Sequence, residues 1–131
     1  KLEVDAQIPD EEIVVCGEQD PITQITYNIL DNAVKFAYPE STITVRIWKS
    51  DVKAFVAIKN AGDTISPDEL PYIFDRFHKS DKSRSMDKEG VGLGLYIVKS
   101  IVNSYGEKIS VTSKNNETEF TFSMTVAPSE E

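Results

Sequence analysis

Gln24-Ile-Thr-Tyr-Asn28-Ile-Leu-Asp-Asn32-Ala-Val-Lys35-Phe36 carries two patterns on one helical period. Ile22, Ile25, Ile29, Ala33 and Phe36 recur three and four residues apart, which predicts a helix with one buried face. Asn28, Asn32 and Lys35 stand at i, i+4 and i+7, along the edge beside that face. Two asparagines in a helix interior carry a propensity cost that ordinary polar edging leaves unexplained. Asp20-Pro21 supplies an acidic N-cap followed by proline at the first helical position. Pro39 disfavours helical geometry at Tyr38 and ends the helix.

Outward from this helix the period falls to two. Ile43, Val45 and Ile47 alternate with Thr44, Arg46 and Trp48, the pattern of a sheet with one buried face. Past a polar turn at Ser50-Asp51, Ala54, Val56 and Ile58 alternate again. The next inward position is Asn60, aimed to the side of the core helix. Ser66-Pro67-Asp68-Glu69 reads as a capping box opening a short helix to about Phe74. Residues 78–89 are polar and aperiodic, which predicts a long mobile loop. A second amphipathic helix carries Leu95, Val98, Ile101, Val102 and Tyr105, with Gly106 placed to cap it. Closing strands are predicted over 109–111 and 120–126, and short extended segments over 2–5 and 12–16 about a Pro9-Asp10 turn. Strands and helices intermix without regular βαβ alternation, which predicts an α+β two-layer sandwich.

The chain of 131 residues is long enough for one domain with its own core, over 1–127, followed by a disordered tail at 128–131. An apolar fraction of 40% and six phenylalanines supply that core. No apolar run approaches the ~20 residues of a transmembrane helix, and no basic-then-apolar leader is present. The formal charge of −8 argues against a nucleic-acid surface. Residues 75–90 are the exception, with Arg76, Lys79, Lys82, Arg84 and Lys88 among four acids. There an anionic small ligand is tolerable, though a solvated loop explains the same charges. Cys16, the only cysteine, excludes an internal disulfide and suits a reducing compartment. Its place in the run Ile13-Val-Val-Cys16 predicts a buried, inert thiol.

Gly90-Val-Gly92-Leu-Gly94-Leu95 is the second motif. Its glycines let the backbone present N–H groups to an anion, and the helix beginning there adds its positive end. No strand precedes it, and no Gly-Lys-Ser/Thr follows, so neither a dinucleotide fingerprint nor a P-loop is present. Carboxamide oxygens at Asn28 and Asn32 are hard, neutral ligands suited to magnesium, and Lys35 can meet phosphate as a point charge.

In order and content these segments resemble the ATP-binding catalytic domain of a sensor histidine kinase, in the superfamily of gyrase B, MutL and the large heat-shock chaperone. The stretch from Gln24 to Phe36 resembles the N box, and Asn60-Ala-Gly62-Asp-Thr64 stands where the first glycine box belongs. Leu70-Pro-Tyr-Ile-Phe74-Asp-Arg-Phe77 is similar to the F box, and Gly90 to Leu95 to the second glycine box. The resemblance implies the Bergerat fold, with a mixed sheet of about five strands covered on one face by about three helices. It implies ATP and Mg²⁺ as cofactors, with Asn32 binding the metal, Asn28 assisting, and Asn28 and Lys35 the catalytic pair. The backbone around Gly92 and Gly94 would cradle phosphates and Asn60 would accept from the adenine amino group, with Gly62, Ile65, Gly90, Leu93 and Leu95 also binding the cofactor. Phe74 and Phe77 would anchor a lid over about 78–90. The implied reaction is phosphoryl transfer to a histidine on a separate dimerisation domain, and onward to a response regulator. No nucleic-acid or membrane contact by this domain is implied. The ATP requirement implies a cytoplasmic location, with inner-membrane anchoring of the parent protein a family expectation.

Asn28 stands where hydrolytic relatives place a glutamate, and an amide cannot take a proton from water. His78, the only histidine, lacks the surroundings of a family phosphoacceptor. Elsewhere the pattern departs from the family. The first glycine box ordinarily reads Asp-x-Gly-x-Gly, so Asn60 and Thr64 are substitutions. A neutral acceptor in place of a charged one costs about 1 kcal/mol, about fivefold in affinity. Asn115-Asn-Glu-Thr118 replaces the usual Gly-Thr turn. Two alternatives stay open: a degenerate regulatory module with weakened ATP affinity, and a serine kinase of the anti-sigma-factor type, which the F box counts against.

Overall fold

Residues 2–9, 13–75 and 94–127 are described by the structure, a computed structural model. In chain order the elements are β1 (Glu3–Gln7), α1 (Gln19–Phe36), β2 (Thr42–Ser50), β3 (Lys53–Ala61), a 3₁₀ turn (Leu70–Tyr72), α2 (Gly94–Ser104), β4 (Ile109–Lys114) and β5 (Glu117–Thr125). The five strands form one mixed sheet in the order β1-β2-β3-β5-β4. β1 runs parallel to β2, and every other pairing is antiparallel.

The period-two pattern fixes the register. Ile58 stands between Val45 and Phe120, and Val56 between Ile47 and Phe122. Ile109 and Val111 of β4 continue those rows beside Phe122 and Phe120. Against this inner face lie Ile25, Ile29 and Ala33 of α1, together with Val98 and Val102 of α2. Ile25 and Ile29 are fully buried, each worth about 1.5–3 kcal/mol of transfer free energy. The expected two-layer α+β sandwich is therefore present, with its helices on one face.

Several local expectations need correction. Of the about three helices expected, the described residues include two α-helices and one 3₁₀ turn. The predicted helix from Ser66 to Phe74 is a run of turns, in which the Ser66 carbonyl accepts from the N–H groups of Glu69 and Leu70. Pro71 has no N–H to return to Pro67, so the α-helical ladder cannot propagate there. α1 begins at Gln19, one turn position ahead of the predicted Asp20 cap, with Glu18 making no side-chain cap. A tertiary contact stands in its place: the Glu18 N–H donates to the Tyr105 hydroxyl at 3.1 Å. The predicted strand over 12–16 reduces to a single bridge, Val15 to Val126. Val15 packs on the core, so alternation turns Cys16 outward, and its thiol is exposed, not buried. The tail at 128–131 and the loop at 78–90 lie outside the described residues.

Two junctions lock the helices to the sheet. At the first, the Tyr38 N–H donates to the Ala61 carbonyl at 2.8 Å, tying the exit of α1 to the end of β3. Gly62 follows, so close to α1 that a Cβ would lie 2.4 Å from the Phe36 carbonyl oxygen and 3.0 Å from the Asn60 Nδ2. At the second, Gly106 adopts φ +70°, and α2 closes in a Schellman motif: the N–H groups of Gly106 and Glu107 donate to the carbonyls of Asn103 and Val102. That turn buries the Glu107 carboxylate, whose side chain is 4% exposed. It accepts from Lys53 Nζ at 2.8 Å, Ser123 Oγ at 2.8 Å and Thr125 Oγ1 at 2.6 Å. Burial raises the Glu107 pKa, but the donors from Lys53, Thr125 and Ser123 outweigh it and hold the carboxyl below its ordinary value.

Each junction makes a prediction. Gly62→Ala should lower stability by about 1–3 kcal/mol, because the clash is with backbone that cannot swing away; the shift of the urea midpoint measures it. A carboxylate with a depressed folded pKa stabilises above its unfolded value and loses that contribution as pH falls through the folded value. Wild-type stability should therefore drop below pH 4.5, the ordinary value for this group. In Glu107→Gln that acid segment should flatten, with stability at neutral pH lower by about 2 kcal/mol. Urea titrations across the acid range test both.

Candidate functional site

Because Ile25, Ile29 and Ala33 face the sheet, the stripe of Asn28, Asn32 and Lys35 comes to the flank of α1. Asn28 is engaged at both ends of its carboxamide. Its Oδ1 accepts from Gln24 Nε2 at 2.9 Å, and its Nδ2 donates to the Gly94 carbonyl at 3.2 Å. Gly94 opens α2, so this one side chain joins the two sequence motifs across the helix pair. Asn32, half-buried one turn on, makes no side-chain hydrogen bond to any described residue. Lys35 pairs with Asp31 at 3.2 Å, both side chains 42% exposed. An exposed i, i+4 pair is worth only about 0.3–0.5 kcal/mol, so Lys35 can turn to an anion at little cost.

At Gly94 a Cβ would meet nothing within 4 Å among the described residues, leaving its backbone open to approach. Leu95 packs on the core beside it. Gly90, Gly92, Leu93 and Phe77 lie outside the described residues. Phe74 sits edge-on against Phe120, with ring centroids 5.9 Å apart, and Lys99 Nζ lies 5.4 Å from the Phe74 ring centre. Those contacts pin the F-box segment to the body.

The end of β3 forms the third wall. Asn60 is buried at 4% exposure, on the inner face opposite Thr118. The Thr118 hydroxyl pairs with Ser113 Oγ at 2.7 Å, and Ser113 Oγ also accepts from the Ile65 N–H at 2.8 Å. The loop from Gly62 to Ile65 is clasped from outside. Gly62 N–H donates to the Asn116 carbonyl, Asn116 N–H donates to Thr64 Oγ1 at 2.8 Å, and Thr64 Oγ1 donates to Asn116 Oδ1 at 3.2 Å. Asn115 and Asn116 both take positive φ, 53° and 62°, which asparagine tolerates better than most residues. Thr64 and the Asn115-Asn116 turn, two departures from the family pattern, are thus bonded to one another.

Sequence reasoning missed Gln24, Asp31, Ser113 and Thr118. Gln24 and Asp31 each precede their partner by four residues, a spacing that pairs helical side chains. Thr118 continues the inward alternation of Phe120 and Phe122, so period two could have found it. The Thr64–Asn116 clasp joins residues far apart in sequence and left no local signal.

Neutral amides, an open glycine backbone and a buried polar wall suit a polyanionic ligand with an aromatic base. Among the described residues no cluster of three His, Cys, Asp or Glu side chains could hold a metal. The available hard ligands are the carboxamides on α1, which fit a magnesium ion shared with phosphate oxygens. No helix among the described residues is long and apolar enough to cross a membrane.

Comparisons with known proteins agree with this geometry. Residues 17–128 match the family described as histidine kinase-, DNA gyrase B-, and HSP90-like ATPase. The chain is 38% identical over 113 residues to the sensor protein KdpD of Clostridium acetobutylicum, covering 86% of this chain and 13% of that protein. It is 38% identical over 117 residues to the sensor histidine kinase CusS of Escherichia coli O157:H7, covering 89% of this chain and 24% of that protein. The chain thus spans a quarter or less of these curated relatives. Among solved structures, a mycobacterial sensor histidine kinase, MprB, superposes with a TM-score of 0.82 at 27% identity, covering 98% of this chain and 84% of that one. The chain belongs to the histidine kinase-, DNA gyrase B-, and HSP90-like ATPase family, as the ATP-binding catalytic domain of a sensor histidine kinase.

Proposed function

We propose that the domain binds ATP with magnesium between α1, α2 and the end of β3, and donates the γ-phosphoryl group to a histidine on a dimerisation domain outside this chain. The observation that supports this most is the hydrogen bond from Asn28 to the Gly94 carbonyl. It brings the amide stripe of α1 to Gly94, the described end of the glycine motif, where phosphoryl transfer by positioning and charge neutralisation needs both. Asn32, whose side chain has no partner among the described residues, would hold the metal, with Asn28 assisting. Lys35 leaves Asp31 for a phosphate oxygen. The backbone of Gly90, Gly92, Leu93 and Gly94 supplies N–H donors, with Leu95 seating the turn. Asn60, Gly62 and Ile65 border the base, while Phe74 and Phe77 hold the base of a lid over about 78–90.

Magnesium, when bound, neutralises charge on the transferring phosphoryl group. The chain's own part is to orient and to refrain from hydrolysis. Asn28 cannot take a proton, and both ends of its amide are already bonded. Asn28 therefore offers water near the γ-phosphoryl group no base, and the group is kept for the incoming imidazole. A response regulator then accepts it from the histidine. The ATP requirement puts the domain in the cytoplasm, with the parent protein held in the inner membrane.

Calorimetry with ATP and ADP, with and without magnesium, tests the first step. Magnesium-dependent binding in the micromolar to submillimolar range is expected; no heat at millimolar nucleotide would favour a regulatory module. Asn32→Ala should weaken magnesium-dependent binding at least tenfold, about 1.4 kcal/mol, and leave the thermal midpoint nearly unchanged. Mixing the domain with its dimerisation domain and labelled ATP should yield an acid-labile phosphohistidine. Its absence despite nucleotide binding would refute the transfer.

A further inference from the structure

Four polar side chains are buried among the described residues: Asn60, Thr118, Ser123 and Glu107. Three are partnered, Thr118 with Ser113 and Ser123 with Glu107. Asn60 is the most buried of the four, at 4% exposure, and its side chain makes no hydrogen bond to any described residue. A buried amide left unbonded is costly, so its presence points to a ligand that completes it.

Its surroundings hold it in place. β3 keeps Asn60 in register with Thr118 on the inner face, and a Cβ on Gly62 would lie 3.0 Å from its Nδ2. The adjoining loop is fastened by the Thr64–Asn116 and Ile65–Ser113 bonds. The backbone is therefore fixed, while the terminal carboxamide can still exchange its two ends by rotation about its last torsion.

That freedom has a chemical consequence. A 6-aminopurine offers a donor at its exocyclic amine and an acceptor at N1. A 6-oxopurine offers an acceptor at O6 and a donor at N1. A carboxylate presents acceptors only, so it matches the amine and opposes O6. A carboxamide presents one acceptor and one donor, and a half-turn swaps them. We propose that Asn60 relaxes purine discrimination, so that 6-oxopurine nucleotides occupy the base site alongside adenine nucleotides. This rests on the assignment of Asn60 to the base end of the nucleotide site.

The test is calorimetry of the whole chain with Mg-ADP, Mg-IDP and Mg-GDP, on wild type and Asn60→Asp. Inosine carries O6 and N1–H without the 2-amino group of guanine, so IDP isolates the carboxamide. Wild type should bind IDP within about tenfold of ADP, whereas Asn60→Asp should keep ADP and weaken IDP by roughly tenfold or more. IDP binding with GDP excluded supports the proposal equally, since Asn60 does not read the 2-amino group. Wild type that binds ADP but discriminates against IDP by more than about tenfold overturns it, and does so even if the variant fails to fold. Absence of binding by every nucleotide refutes the underlying site assignment, a different and recognisable failure.

Discussion

The rotational setting of α1 is the constraint on which the rest depends. Ile25, Ile29 and Ala33 are packed against the sheet with no room for exchange. Close-packed interiors resist shifts of even one methylene, so the helix cannot turn about its axis without opening the core. The amide and lysine stripe lies about a quarter of a turn from that buried face, because 3.6 residues per turn leave no other place for positions 28, 32 and 35. Burial thus aims the amides, although none of them is itself part of the core.

From α1 the constraint passes to its neighbours. Asn28 reaches the first residue of α2, and the end of the helix is bonded into β3 through Tyr38 and Ala61. The site is bounded on three sides by elements that a single apolar face has already positioned.

Much of this was legible in the chain. The alternation through Ile43–Ile47 and Ala54–Ile58 gave the strands and aimed Asn60 inward, and helical spacing gave both helices with their buried faces. What stayed hidden depended on contacts between distant segments. The start of α1 is set by Tyr105, eighty-seven residues away, and no local cap could announce it. Ser66-Pro67-Asp68-Glu69 looks like a helix start, yet Pro71 removes the N–H needed to continue. Cys16 sits in an apolar run but follows a residue that faces the core, so it faces out. Within the site, the amide stripe and the glycine turn were readable as chemistry. The partners that hold them, Gln24, Asp31 and the Thr64–Asn116 clasp, were recognisable only once neighbours in space were known.

The two ends of α2 are held very differently. At its C-terminal end the Schellman turn, the Tyr105 hydroxyl bonded to Glu18, and the buried Glu107 with its three donors bolt the helix to the sheet. At its N-terminal end, among the described residues, Asn28 of α1 donates to the Gly94 carbonyl at 3.2 Å and Leu95 packs on the core. The helix has 11 residues, a rod of about 16 Å at 1.5 Å rise per residue. A tilt of about 4° about Gly106 would carry Gly94 about 1 Å. A rigid rotation of that kind would move Gly94 most and the residues beside Gly106 least.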